Sequence, residues 1–215
     1  MNLSKPLTSL VPSLEGEVLS ILAGAEADFT GQQVHKVLGK HSQAGVNRVL
    51  QKLSATGIVN MRSSGNANLY ELNREHLLAK YVIAIVDSRN DFYRFITKEV
   101  SLWELEPVHV AVFGSAVRGD MTPESDVDIF ISRPKEIDFS DAAWREQLSS
   151  FASKVRKLTG NSVQMFELGY DDIQRELGVA GGVLSSIKRQ GVTIFGHPNY
   201  LADLETERGF TNGKN

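Results

Sequence analysis

The chain has 215 residues, 41% hydrophobic and 8% aromatic, enough to build apolar cores in one large domain or two small ones. Its formal net charge of −3 carries no global nucleic-acid signature, so any DNA-binding face has to be local. It has no cysteine, which excludes a disulfide framework, a thiol nucleophile and a cysteine metal site, and its five histidines lack ligand spacing, which argues against zinc.

Met1 to Leu7 lacks the long apolar region of a signal peptide. No apolar run approaches membrane-spanning length. A cytoplasmic protein with no membrane partner is expected.

Residues 13–72 read as one unit. Ser13 is placed to cap a helix with Leu14, Val18, Leu19, Ile21 and Leu22 at helical spacing, and Gly24 to Asp28 breaks it. Thr30 caps a second helix, Gly31 to Leu38. After a turn at Gly39-Lys40-His41, Ser42 caps a third that runs to about Thr56, with Val46, Val49, Leu50 and Leu53 on one face. Gly57 ends it. Residues 58–62 read as a strand, 63–66 as a hairpin turn and 68–72 as the returning strand.

Three helices and a hairpin, with Leu53 leading to Gly57-Ile58-Val59, resemble the winged helix-turn-helix domain of bacterial transcriptional regulators. The resemblance covers about sixty residues and implies DNA as a partner. On that reading Ser42, Gln43, Asn47 and Arg48 lie at the start and outer face of the recognition helix, with His41, Gln51 and Lys52 beside them. Arg62, Asn66 and Asn68 are wing candidates for phosphate or minor groove. Residues 1–72 hold six basic and five acidic side chains, a net of +1, which is weak phosphate neutralisation. Glutamine, asparagine and arginine on the third helix suit base edges and favour DNA over a protein-docking or dimerisation module.

Residues 73–106 contain no proline and little glycine. Asn73 is placed to cap a long amphipathic helix or helix pair carrying Tyr81, Val82, Ile85, Val86, Phe92, Phe95 and Ile96. It reads as a linker packing on both domains, or as a homodimer contact.

The most informative stretch follows Pro107. An apolar run from Val108 to Phe113 ends at Gly114-Ser115. A ten-residue loop with Arg118, Gly119 and Pro123 leads to Asp126-Val127-Asp128 at the start of a second apolar run. Carboxylates two apart on a strand share a face, and two of them suit Mg²⁺, which prefers oxygen ligands. A Gly-Ser turn lets backbone amides and a hydroxyl approach a phosphate. Together they predict a nucleoside triphosphate site with metal-assisted phosphoryl chemistry. Downstream, a helix is expected over residues 142–158, a third strand over 162–168, short helices over 173–177 and 183–190, and a short strand over 191–196. Residues 201–215 read as a polar, frayed tail.

Gly114-Ser115, ten residues, then Asp126-x-Asp128 resembles the signature of the DNA polymerase β-like nucleotidyltransferase superfamily, nearest its minimal branch, over about residues 105–197. The chain then divides into a winged helix-turn-helix domain at 1–72, a helical linker at 73–106, a nucleotidyltransferase domain at 107–200 and a tail at 201–215. The class is α+β, with a small mixed sheet in the C-terminal domain.

The resemblance implies a catalytic set of Ser115, Asp126 and Asp128. Asp126 and Asp128 would hold Mg²⁺ or Mn²⁺, and Gly114, Ser115 and Arg118 would hold an NTP, ATP by preference. Arg118 has an alternative as a loop ion pair with Asp120 or Glu124. The implied activity moves a nucleoside monophosphate to an acceptor hydroxyl. A protein acceptor or toxin partner is an option, since small family members often act as antitoxins.

Active members place a third carboxylate on the third strand. In register that position is Gln164 (Val163-Gln164-Met165), while Glu167 (Phe166-Glu167-Leu168) fits the local pattern but lies three residues on, which reverses the strand face. With Glu167 in the site the acid set is complete. With Gln164 there the alternative is a transcriptional regulator whose degenerate domain senses nucleotide.

Overall fold

The computed structural model describes residues 1–177, 179 and 181–212. The chain forms two compact units, residues 2–90 and residues 91–215 with Met1, and their boundary falls inside one long helix.

The N-terminal unit opens with a 3₁₀ turn at Pro6–Ser9 and helix α1, Leu14–Ala23. Ser13 occupies the N-cap of α1 in extended backbone, but its hydroxyl does not cap the helix amides. A two-residue strand, β1 (Phe29–Thr30), precedes α2 (Gly31–Leu38). Thr30 Oγ1 accepts from the Gln33 amide at 3.2 Å, and Gln33 Oε1 accepts from the Thr30 amide at 2.7 Å. That reciprocal box satisfies two donors that no helical carbonyl can reach. Helix α3, Gln43–Ala55, is capped by Ser42 Oγ, which accepts from the Gly45 amide at 3.1 Å.

Strands β2 (Val59–Ser64) and β3 (Ala67–Leu72) pair antiparallel from Val59↔Leu72 to Ser64↔Ala67. The turn is therefore Gly65-Asn66, and the strands run closer to the tip than expected. Strand β1, which the sequence pattern does not reveal, pairs with β3 through Phe29↔Tyr70 and gives the sheet order β1-β3-β2. Val18, Leu22, Val34, Val46, Leu50, Val59, Tyr70 and Leu72 form the core. Residues 60–68 are exposed, so the hairpin arm projects into solvent on both faces.

The long helix, α4, spans Ala79–Val100, so it starts six residues after Asn73. Asn73 is not its cap. Its Nδ2 donates to the Gly57 carbonyl at 2.9 Å, and its Oδ1 accepts from the Glu75 amide at 3.2 Å, fixing the exit from the hairpin instead. Val82, Ile83 and Val86 pack on the N-terminal core, while Phe92, Ile96 and Val100 are buried further along.

In the C-terminal unit, β4 (His109–Phe113) leads through the single-turn helix α5 (Ser115–Arg118) to β5 (Val127–Ser132). Helix α6 (Ala142–Thr159) returns the chain to β6 (Val163–Leu168). Helices α7 (Tyr170–Glu176) and α8 (Val183–Gln190) precede β7 (Val192–Phe195) and α9 (Tyr200–Asn212). The sheet order is β6-β5-β4-β7, with β5 and β6 parallel and the other pairs antiparallel, the small mixed sheet expected from the sequence.

On one face Ala111, Phe130 and Phe166 pack against Ile173, Leu184 and Ile187 of α7 and α8. Val110, Val112, Ile129 and Ile131 alternate to the opposite face. Trp144, Leu148, Phe151 and Val155 are the buried stripe of α6. The C-terminal segment is a correction: 200–212 is a helix where a frayed tail is expected, because Leu201 and Leu204 join the first of these layers. Residues 213–215 lie outside the described residues.

Candidate functional site

The alternation of β4 and β5 dictates the site. Phe113 is the register partner of Asp128 across the antiparallel pair, and the chain turns at Gly114 immediately after it. Gly114 has φ +72°, in the region that favours glycine, and a Cβ there would overlap the Asp128 carboxylate. The aspartate therefore lies directly against the Gly114 backbone. The Ser115 backbone amide hydrogen-bonds the Asp128 carboxylate.

Asp128 is half-buried, and its carboxyl is held above the ordinary aspartate range, first by burial and then by the charge of Asp126. Arg118 and the Ser115 amide oppose the shift. Asp126 is exposed and precedes β5, two residues before Asp128. Two oxygen ligands that repel each other beside a glycine turn fit a hard dication that takes its other ligands from water and phosphate oxygens. Among the described residues no group of three or more aspartates, glutamates or histidines could hold a metal by itself. Arg118 is exposed, with Nε 3.4 Å from Asp120 Oδ2, so its loop pairing is the arrangement observed.

The third strand resolves the open alternative. Gln164 is the parallel register partner of Asp128, and Glu167 that of Ile131. Gln164 is exposed on the same face as Asp128. Glu167 lies on the other face, about 10 Å along the strand. Its side chain is 7% exposed and accepts from Arg133 Nε at 2.6 Å. Arg133 also donates to the Ile137 carbonyl. The glutamate is committed to a buried ion pair, and an amide occupies the position beside the paired aspartates.

The elements around the site were visible in the sequence, but two side-chain clusters were not. One is the Arg133–Glu167 pair. The other is His109, 3% exposed, with its ring stacked on Tyr200 at 5.2 Å between centroids. Tyr200 Oη and Ser132 Oγ are hydrogen-bonded at 2.8 Å. His109 is buried, and burial pulls the imidazole down to about 4 against an opposing backbone hydrogen bond at His197. A histidine opening an otherwise apolar strand was the available signal.

In the N-terminal unit, Ser42, Gln43 and Arg48 are exposed and Asn47 is half-buried, all at or on α3, while Arg62 is exposed on β2. Several basic groups there are engaged. Lys52 Nζ is 2.7 Å from Glu15, Lys40 Nζ is 2.9 Å from Glu17, and Arg62 pairs with Asp28. Lys52 is the largest influence holding Glu15 down to about 2.

Residues 94–187 match the nucleotidyltransferase domain family. The nucleotidyltransferase match begins inside α4 and ends in α8, so it contains Gly114, Ser115, Arg118, Asp126, Asp128 and Gln164. No curated protein matches the chain. Solved structures similar to it include two toxin-antitoxin crystal structures. A crystal structure of a toxin-antitoxin with AMP-PNP is 16% identical, with 56% of this chain and 86% of that chain covered and a TM-score of 0.39. The toxin-antitoxin MntA-HepT is 14% identical, with 58% and 86% covered and a TM-score of 0.36. Among the described residues no helix is long and apolar enough to cross a membrane.

Proposed function

We propose that the C-terminal unit is a Mg²⁺-dependent nucleotidyltransferase that moves a nucleoside monophosphate from an NTP, ATP by preference, to an acceptor hydroxyl. The observation that carries it is Asp128 pressed against Gly114 with Asp126 beside it, a pair of carboxylates whose mutual repulsion a cation relieves. Asp126 and Asp128 hold Mg²⁺ or Mn²⁺, which when bound neutralises the triphosphate and acidifies the acceptor hydroxyl. Gly114 and Ser115 bring backbone amides and a hydroxyl to the phosphates. Arg118, once released from Asp120, balances charge on the leaving group. The acceptor oxygen bonds to the α-phosphorus, the bond from that phosphorus to the α–β bridging oxygen breaks, pyrophosphate leaves with the electron pair, and the acceptor proton passes to water. A protein acceptor follows from the resemblance to small family members that act as antitoxins.

The N-terminal unit, on the same proposal, is a winged helix that binds DNA through Ser42, Gln43, Asn47, Arg48 and Arg62. Support comes from three helices backed by an antiparallel sheet whose hairpin projects into solvent. Phosphate would compete with Asp28 for Arg62 and with Glu15 for Lys52. Exposed pairs of this kind are worth about 0–1 kcal/mol, so the competition is cheap.

Gln164 beside Asp128 favours a second reading, a regulator whose nucleotidyltransferase domain senses nucleotide without transferring it. The deciding experiment incubates the protein with Mg²⁺, α-labelled NTPs and a cell lysate, beside the Asp126→Ala/Asp128→Ala double variant. Label transferred by the wild type alone supports the enzyme. Mg²⁺-dependent nucleotide binding with no transfer supports the sensor. Gln164→Asp tests the missing acid. If removal of the acceptor proton limits the rate, transfer should rise by about 10²-fold, the low end of general-base contributions.

A further inference from the structure

Between α2, α3 and the β2–β3 hairpin lies a cleft of about 320 Å³. None of its lining residues is charged, and six carry amides: Gln32, Gln43, Asn47, Gln51, Asn66 and Asn68. Asn68 Oδ1 hydrogen-bonds Ser63 Oγ at 3.2 Å. The side-chain amides of the other five make no hydrogen bond to another described residue, and four of them, on Gln32, Gln43, Gln51 and Asn66, are exposed with donors and acceptors open to a ligand.

Three of these amides form a row. Gln43, Asn47 and Gln51 are four residues apart on α3 and therefore share a stripe, each about 6 Å from the next along the axis. That spacing is roughly two base-pair steps of duplex DNA. Asn47 packs against the start of α2. Its amide fills the space in which residue 31 would carry a Cβ, so only glycine there lets α2 approach α3 this closely.

Base chemistry then discriminates. In the major groove adenine offers an acceptor at N7 and a donor at N6, which a carboxamide matches with its own donor and acceptor. Guanine offers two acceptors and is read best by arginine or lysine. Around this cleft Lys52 is tied to Glu15 and Arg62 to Asp28, Arg48 is exposed on α3, and none of the three lines it. On the hairpin side the Asn66 and Asn68 amides can donate to adenine N3 and thymine O2 in the minor groove, where guanine's amino group would obstruct them.

We infer that this cleft reads A·T base pairs, with Gln43, Asn47 and Gln51 on adenine edges in the major groove and Asn66 and Asn68 against the neighbouring minor groove. The inference rests on the DNA-binding reading of the N-terminal unit.

The test is fluorescence anisotropy of the full chain with labelled A·T-rich and G·C-rich duplexes of equal length, across a salt series. The A·T-rich duplex should bind about tenfold tighter or better, as expected from even one well-made amide–adenine pair. Gln43→Ala and Gln51→Ala remove exposed side chains with no internal partner, and each should reduce that preference by about fivefold or more while far-UV circular dichroism stays unchanged. Arg48→Ala should weaken both duplexes alike and flatten the salt dependence. Equal binding of the two duplexes with a normal salt slope would overturn the A·T inference and leave DNA binding standing. No binding to either duplex at low salt would remove both together.

Discussion

A methyl group at Gly114 would collide with the carboxylate of Asp128 and would also have to adopt a positive φ. Gly114→Ala should therefore displace Asp128 and lower Mg²⁺-dependent nucleotide affinity by about tenfold or more, since 1.4 kcal/mol of lost positioning suffices. Isothermal titration with a non-hydrolysable ATP analogue measures it. His109 makes a prediction about pH. Its folded value lies near 4, below the ordinary 6.5, so the folded state resists taking up the proton that the unfolded chain accepts. Stability is thus fully present above pH 6.5 and is lost as pH falls from 6.5 towards 4. The loss is on the order of 3 kcal/mol, at about 1.4 kcal/mol per unit. Denaturant titrations at pH 7 and 4.5 should show it, and His109→Phe should reduce the difference. An unchanged gap in the variant would assign the acid sensitivity elsewhere.

Helix α9 shows what an element gains from its neighbours. Residues 200–212 have a polar composition, yet Leu201 and Leu204 are buried against the face that carries Phe130 and Ile187. Tyr200 adds the stack on His109 and the bond to Ser132. Leu201→Ala should cost about 2–4 kcal/mol, the range for a buried leucine whose cavity does not collapse. A change below 0.5 kcal/mol in urea denaturation would mean that the helix adds little to this unit. The β2–β3 hairpin is the opposite case. Past Val59 its residues up to Asn68 are exposed, so its tip serves something other than the core.

Among the described residues, one core lies around Val18, Leu50 and Tyr70 in the N-terminal unit and another around Phe130, Ile173 and Leu184 in the C-terminal unit. Each unit has its own proposed ligand. Hydrogen exchange with and without Mg²⁺ and ATP should slow at residues 113–118 and 126–128, where the nucleotide is proposed to bind. In a plain transferase the protection stays within the C-terminal unit. In a nucleotide-sensing regulator it also changes exchange in α3 and the β2–β3 hairpin. Unaltered exchange at residues 113–118 would remove the proposed nucleotide site.

Local sequence by itself determined most of the elements and the chemistry at their ends. Thr30 with Gln33, Ser42, and the Gly114-Ser115 turn act through backbone groups within a few residues, so their signals lie in the sequence itself. The paired aspartates are legible for the same reason, since they lie two residues apart at the point where β5 begins. Strand β1 is too short to show a period and exists because β3 offers it hydrogen bonds. Asn73 has a capping residue's chemistry, but the Gly57 carbonyl claims it. Helix α9 required a sheet face to dock on. Whether Gln164 or Glu167 adjoins Asp128 depended on the register between β5 and β6, and a one-residue slip would put Val163 or Met165 opposite Asp128 and turn Gln164 to the other face. Register is a property of two strands and the helix that joins them. Only the tertiary structure fixes it, and it places an amide beside Asp128.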